Sequence, residues 1–168
     1  MYHLQHCGYG YNKSTCQDIV DWFITKFLPR HKLWINVQHR GLKRQHAYGF
    51  CDIDLQFGDI HRPRDFTIDL QSNMCPILYK VTLIHELIHL RQWVRGQLVS
   101  RSGRVTWDGV RVSDMDYAVQ PHEIEAFDNE WPLYWDYSDL YQTLSDTISA
   151  YADFNHIDLK GKEGVLSP

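Results

Sequence analysis

The segment from Ile77 to Trp93 constrains the fold of this chain more than any other, because it is a long apolar run with a single polar stripe. It contains neither Gly nor Pro after Pro76, and it is followed by a basic residue and Gly96, which together indicate a helix that stops there. Apolar side chains cover most of its surface, and a helix of that kind lies inside a core. The segment therefore predicts the central helix of a globular domain.

The polar stripe of this helix contains the run His85-Glu86-Leu87-Ile88-His89. Helical residues four apart lie about 40° from each other around the axis, so both imidazoles can bind one ion. Two imidazoles and a carboxylate are costly to bury unless something bonds to them, and a metal ion does so. We therefore predict a metal site at His85 and His89 with Glu86 beside it. Neutral imidazole ligands favour zinc, one ion per chain.

A zinc site of this kind needs a third protein ligand, and a second predicted helix, which begins near Pro121, offers three candidates. The inward face of that helix is predicted from its large apolar residues, Ile124, Phe127 and Trp131. Glu123 lies closer to this face than Glu125, so Glu123 is the preferred ligand. Glu125 is expected to be a solvated surface carboxylate, although it stays an alternative ligand, as does His122.

The pattern of apolar and β-prone residues in the rest of the chain predicts an α+β fold. Apolar spacing predicts a first helix over 14–28. Short β-rich runs predict three strands of a small antiparallel sheet, over 33–37, 47–55 and 65–70. The last of these strands is either the sheet edge on which an extended peptide aligns or an ordinary half-buried strand. Asp108-Gly109, between two β-prone triplets, predicts a hairpin.

The carboxyl-terminal part is expected to contain two separate helices. Pro132 should stop the helix that carries Glu123, and Ser138 should cap a last helix through residue 153. We expect one folded domain over 1–155 and a loose tail over 156–168.

Composition restricts the function classes. The chain has 168 residues, 43% of them hydrophobic, and a formal net charge of -4, which argues against a phosphate backbone as its main partner. The basic stretch over 30–46 is a solvated face or a nucleic-acid docking surface. The amino terminus lacks the segments of a signal peptide and should be flexible, and no stretch reaches the roughly 18 apolar residues that span a bilayer, so we expect a cytoplasmic protein without a membrane segment.

The two predicted helices resemble the gluzincin class of zinc metallopeptidases, in which His-Glu-x-x-His is followed on a later helix by a glutamate. Small members are the most similar, namely the minigluzincins and the ImmA/IrrE type, whose Glu-x-Glu-Ala is similar to the run from Glu123 to Ala126. The chain also resembles short metallopeptidase-like proteins encoded by phages, in which a Trp-x-Gly turn precedes this run, here at Trp107.

The resemblance implies a zincin-like fold in which a small antiparallel sheet packs on both helices. It implies that His85, His89 and Glu123 bind zinc and that Glu86 is the catalytic base in the hydrolysis of a peptide or protein substrate. Several relatives have Asp or Asn four residues after the ligand glutamate, where this chain has Phe127, and Asp128 is the nearest substitute. Tyr117, His122 and Tyr134 are candidate donors to the oxyanion.

Two other functions fit the same residues. The chain could be a non-catalytic module in which zinc is structural. It could also be a protease that docks on nucleic acid through the basic stretch over 30–46. The sequence carries no information about oligomeric state.

Overall fold

The protein contains two sheets and three α-helices in the part of the chain that the structure describes. The structure is a computed structural model and describes residues 1–53, 61–101 and 103–154, with 141–154 described by backbone alone. In chain order the elements are β1 (Tyr2–Gly8), α1 (Lys13–Phe27), β2 (Leu33–Arg40), β3 (Gly49–Ile53), β4 (Asp65–Gln71), α2 (Pro76–Arg95), β5 (Leu98–Arg101), β6 (Arg104–Trp107), β7 (Val110–Arg111) and α3 (Pro121–Phe154). The α+β class is confirmed. The expected tail over 156–168 lies outside the described residues.

The larger sheet has the strand order β1-β2-β4-β3 and is mixed. Strands β1, β2 and β4 are parallel neighbours, and only β3 is antiparallel to its neighbour β4. The predicted small antiparallel sheet is therefore wrong. Parallel strands need a crossover connection, and α1 makes that connection between β1 and β2. Short β-rich runs contain no signal for this direction.

The amino-terminal segment, expected to be flexible, forms β1. Tyr2 and Leu4 alternate with exposed residues and pack against the core. Pairing with β2 from Tyr2↔Leu33 to Gly8↔His39 supplies hydrogen-bond partners along one side of the segment. A strand at a chain terminus is ordered when a neighbouring strand supplies its hydrogen bonds.

The sheet has two edge strands, β1 and β3, while β4 lies between β2 and β3. The alternative in which the strand over 65–70 forms the edge is therefore wrong, and that strand is interior. The predicted strand over 47–55 is shorter, at Gly49–Ile53, and its last two residues lie outside the described part. The edge strand β3 packs on α2.

Helix α2 is the central helix that the sequence predicts. It begins with Pro76 at its first position and ends at Gly96, whose φ of 77° is the left-handed conformation favoured by glycine. Leu83, Ile84, Leu87 and Ile88 are fully buried in a core shared with α1, α3 and the larger sheet. Because this helix is surrounded by the core, the free energy of burying its apolar side chains strongly fixes its position.

The Asp108-Gly109 hairpin is confirmed and joins β6 to β7. Both residues have positive φ, 45° and 85°, as a two-residue type I′ turn requires. Strand β5, which follows α2, pairs with β6 and completes a three-stranded antiparallel sheet.

Helix α3 continues through Pro132, so the predicted stop at this residue and the separate helix capped by Ser138 are both wrong. Proline removes one backbone donor from the helix. Pro132 and Asp128, four residues earlier, are both exposed, so water can solvate the carbonyl that lacks a helical partner.

The predicted inward face of α3 is also wrong. Its large apolar residues, Ile124, Phe127 and Trp131, are 44%, 50% and 45% exposed. The helix instead turns Ala126, Tyr134 and Tyr137 toward the core. A small side chain at Ala126 lets α3 approach α2 closely, and this packing outweighs the size of the outward apolar residues. Glu123 lies on the buried edge of the helix, as predicted, although the face used to predict it was not the buried one.

Candidate metal centre

Helices α2 and α3 bring three potential metal ligands together. The Nε2 atoms of His85 and His89 are 3.1 Å apart, and each is 3.4 Å from Oε2 of Glu123. All three side chains are buried, at 7%, 8% and 7% exposure. They are the one group with metal-ligand geometry that the described residues contain. The structure therefore assembles the predicted ligand set.

The spacing of these atoms fits a tetrahedral ion. With bonds of about 2.0–2.1 Å to nitrogen, tetrahedral zinc holds neighbouring ligand atoms about 3.3 Å apart. The observed separations of 3.1, 3.4 and 3.4 Å lie close to this value. Oε2 of Glu123 is buried and has no hydrogen-bond partner among the described residues. A cation would satisfy this atom, so the residues present fit a metal ion.

Both imidazoles are oriented by a second hydrogen bond. His85 Nδ1 donates to Oε2 of Glu130, 2.7 Å away on α3. His89 Nδ1 donates to Oε1 of Gln92, 2.8 Å away on α2 itself. Since each Nδ1 carries a proton for its partner, each Nε2 can direct a lone pair at the centre.

The charge distribution at the centre favours a cation. Burial by itself lowers the pKa of His85, but its contacts with Glu123 and Glu130 raise it to about 9. Burial would raise the pKa of Glu123, yet the imidazoles of His85 and His89 hold it well below its usual range. The carboxylates thus attract a positive charge to the Nε2 atoms, where a metal ion would lie.

Glu86 points into the space between α2 and the edge strand. It is 5% exposed, and burial raises its pKa to about 7. Gly49 on β3 makes this placement possible, because a Cβ there would lie 2.5 Å from Oε1 of Glu86. A carboxylate in this position can accept a proton next to the candidate metal.

Glu125 is not a solvated carboxylate, contrary to expectation. Its Oε1 accepts a hydrogen bond from Arg91 at 2.8 Å, and its Oε2 accepts one from Gln92 at 3.1 Å. Arg91 is 7% exposed, so this ion pair is largely desolvated on one side. Glu125 lies outside the group with metal-ligand geometry and instead connects α3 to α2.

His122 borders the centre without joining the ligand group. Its Nε2 is 3.6 Å from Oε1 of Glu123, the oxygen that does not face the other two imidazoles. Burial lowers its pKa, so it is neutral near pH 7.

The two tyrosines predicted as oxyanion donors lie in different places. Tyr117 lines the cavity over the centre, and burial, followed by the neighbouring carboxylate of Glu123, raises its pKa. Tyr134 lies outside that lining and packs against Trp131 and Trp135. Asp128, the nearest substitute for the missing Asp or Asn, is exposed, and Glu130 contacts His85 instead.

A cavity of about 750 Å³ opens over the centre. Residues 46–52, which include the edge strand, form one wall, α2 forms the floor, and residues from β5 to α3 form the opposite wall. Apolar side chains from Leu78 to Trp93 line its floor on both sides of the imidazoles. A volume of this size accommodates several residues of an extended ligand.

Sequence reasoning missed three residues that build the centre. Glu130 follows Glu123 by seven positions, two helical turns, so it lies on the same side of α3. Gln92 follows His89 by three positions and therefore faces the same side of α2. Both spacings were readable in the sequence, whereas nothing near Gly49 indicates its approach to Glu86.

Comparisons of this chain with protein-family models, with curated proteins and with solved structures found no match. The arrangement of two imidazoles, one carboxylate and an adjacent glutamate therefore carries the functional interpretation by itself.

Proposed function

We propose that this protein is a zinc-dependent peptidase of the gluzincin type. The observation that carries the proposal is the convergence of His85, His89 and Glu123 beside a second carboxylate, Glu86. Three protein ligands with one open position are typical of catalytic zinc, whereas structural zinc is usually closed by four protein ligands. Open space over the centre supports the catalytic form.

His85, His89 and Glu123 would hold the ion, and zinc in such a site supplies Lewis acidity. Glu86 takes a proton from the attacking water on a carboxylate oxygen and returns it to the nitrogen of the leaving amine. Tyr117 and His122 lie on the opposite side of the cavity, where their polar atoms can donate to the carbonyl oxygen of a substrate.

The edge strand supports a peptide as the substrate. Strand β3 pairs with β4 on one side, and within residues 1–53, 61–101 and 103–154 no strand pairs with its other side. Exposed edges bind extended peptides through main-chain hydrogen bonds. Because Gly49 contacts Glu86, a peptide aligned on β3 would pass directly over the centre.

The first test is zinc content together with peptide hydrolysis. The purified chain should contain one zinc and should cleave a peptide library, and a chelator should abolish cleavage until zinc is restored. Glu86→Gln should keep the zinc and slow hydrolysis by about 10²–10⁴-fold. Asp65→Asn, the same chemical change on an exposed residue outside the cavity lining, should leave both unchanged.

Other outcomes would contradict the proposal in distinct ways. One zinc without hydrolysis, with unfolding on chelation, would indicate a structural zinc module. Hydrolysis retained in Glu86→Gln would show that Glu86 is not the catalytic base.

The basic stretch over 30–46 receives less support as a docking surface, because Arg40 forms an ion pair with Asp69. No helix among the described residues is long and apolar enough to cross a membrane.

A further inference from the structure

The strongest unexplained feature of the centre is Gln92, a polar side chain with 0% exposure next to a candidate zinc ligand. A buried amide is costly unless both its oxygen and its nitrogen are hydrogen-bonded. The amide of Gln92 meets this requirement fully, with three partners at 2.8, 3.0 and 3.1 Å.

These partners determine which way the amide faces. Nε2 of Gln92 donates to the main-chain oxygen of His122 at 3.0 Å and to Oε2 of Glu125 at 3.1 Å. A carbonyl and a carboxylate are acceptors only, so both amide hydrogens must point to them. Oε1 is thereby left facing Nδ1 of His89 at 2.8 Å.

The orientation of the amide has a chemical consequence for His89. Because Oε1 is an acceptor only, Nδ1 of His89 must carry a hydrogen. A neutral imidazole with a hydrogen on Nδ1 has its lone pair on Nε2, the atom that faces His85 and Glu123. The reverse orientation of the amide would place its oxygen against two acceptors, the main-chain oxygen of His122 and Oε2 of Glu125.

Glu125 is held in turn by Arg91. The guanidinium of Arg91 donates to Oε1 of Glu125 at 2.8 Å. Arg91 is almost completely buried, and its Cζ atom is 5.3 Å from the centroid of the Phe27 ring. This ion pair holds Glu125 in place as the acceptor for Gln92. The chain of contacts runs from Arg91 through Glu125 and Gln92 to His89.

We propose that Gln92 is the positioning residue that sets the tautomer of His89, and that Arg91 and Glu125 hold its amide in the required orientation. The inference rests on the proposed function in that it treats His89 as a zinc ligand. It assigns to Glu125 a role at the centre that is not metal binding.

The test measures zinc affinity by competition with a chromophoric chelator, together with the ¹⁵N and imino-proton signals of His89. Gln92→Met removes the amide at similar size and should weaken zinc binding by about 10–100-fold. The imino proton on Nδ1 of His89 should lose its hydrogen-bonded shift in the same variant. Gln71→Met is the matched control, because Gln71 is also buried with both amide groups bonded, yet it lies outside the centre.

A double variant exchanges the two groups without changing net charge. In Gln92→Glu with Glu125→Gln, the new carboxylate accepts from His89 Nδ1, and the new amide donates to that carboxylate while its oxygen accepts from Arg91. The main-chain oxygen of His122 loses one donor and faces a carboxylate oxygen instead, so the recovery is expected to be incomplete. We expect this variant to recover most of the zinc affinity and the imino-proton shift. It also replaces Gln92→Met as the test if that variant does not fold.

The inference is overturned if folded Gln92→Met binds zinc as tightly as the unmodified chain, or if the exchange recovers neither signal. Failure of the proposed function is a separate result, because the unmodified chain would then hydrolyse no peptide, whether it binds zinc or not. In that case the imino proton of His89 in the metal-free chain still decides the role of Gln92. A shift lost in Gln92→Met and regained in the exchange supports it, and an unchanged shift rejects it.

Discussion

Helices α2 and α3 both supply ligands to the candidate centre, but they do so from different environments. From Val81 to Val94 every residue of α2 is buried, so the surrounding core holds the helix. Over residues 121–140, helix α3 is buried along one edge, and its aromatic residues Phe127, Trp131 and Trp135 are about half exposed. Polar bonds between the helices, such as His85 to Glu130 and Arg91 to Glu125, therefore align α3. The comparison shows that packing positions one half of the centre and hydrogen bonding positions the other.

The largest effect on zinc affinity should follow removal of Glu123, the candidate metal ligand on α3. Glu123→Ala removes the carboxylate whose Oε2 is 3.4 Å from both Nε2 atoms. Zinc affinity should fall by more than the roughly 100-fold that loss of an outer hydrogen-bond partner causes. Competition with a chelator measures the zinc affinity of this variant. The buried neighbour Ala126 is not substituted. Equal affinity in the variant would show that α3 contributes no ligand.

The next effect should come from the contact between the edge strand and α2. Gly49→Ala places a Cβ 2.5 Å from Oε1 of Glu86 and must displace that carboxylate. Displacement of a reacting group by about 1 Å costs on the order of 10²-fold in rate, so kcat should fall while zinc affinity stays constant. The control is Gly41→Ala, which meets no atom within 4 Å.

A double-variant cycle separates displacement of Glu86 from general damage. In a Glu86→Gln background, Gly49→Ala should cause little further loss, because the group on which it acts is already disabled. Additive losses would mean that Gly49 does not act through Glu86.

A smaller effect is expected from the bond by which α3 supports His85. Glu130→Gln keeps an acceptor oxygen for Nδ1 but removes the negative charge 2.7 Å from it. Zinc affinity should fall by about tenfold, the lower end of the range for outer partners. Asp128→Asn, which changes an exposed carboxylate on the same helix, should leave the affinity unchanged. If both variants bind zinc equally, α3 does not orient His85.

The smallest effect should come from the outer face of α3. Ile124 is 44% exposed, so Ile124→Ser should change the free energy of unfolding by about 0.5 kcal/mol or less. Leu87→Ala, at 0% exposure on α2, should cost about 2–5 kcal/mol. Denaturant unfolding measures both. A large cost for Ile124→Ser would restore the inward face predicted from the sequence.

Features that depend on residues close together in the chain could be predicted from the sequence, whereas features that depend on distant segments could not. Helix α2, the hairpin at Asp108-Gly109 and the pairing of His85 with His89 depend on neighbours in the chain, and the structure contains each of them. The prediction that the strands of the larger sheet are all antiparallel is wrong, because their relative direction depends on which crossover helix connects them. The sequence predicts a helix stop at Pro132, but this proline lies on an exposed side of α3, where water can replace the lost helical hydrogen bond.

The amino-acid sequence by itself determined the buried helix and the two imidazoles on it, because residues four apart on a helix must share a face whatever surrounds them. Only the tertiary structure decided which side of α3 faces α2. That choice rests on the fit of Ala126 against α2 and on buried bonds between the helices. It placed Glu123 at the centre, tied Glu125 to Arg91, and gave each imidazole its partner. Contacts between distant segments have no period in the sequence, so packing and hydrogen bonding had to establish them.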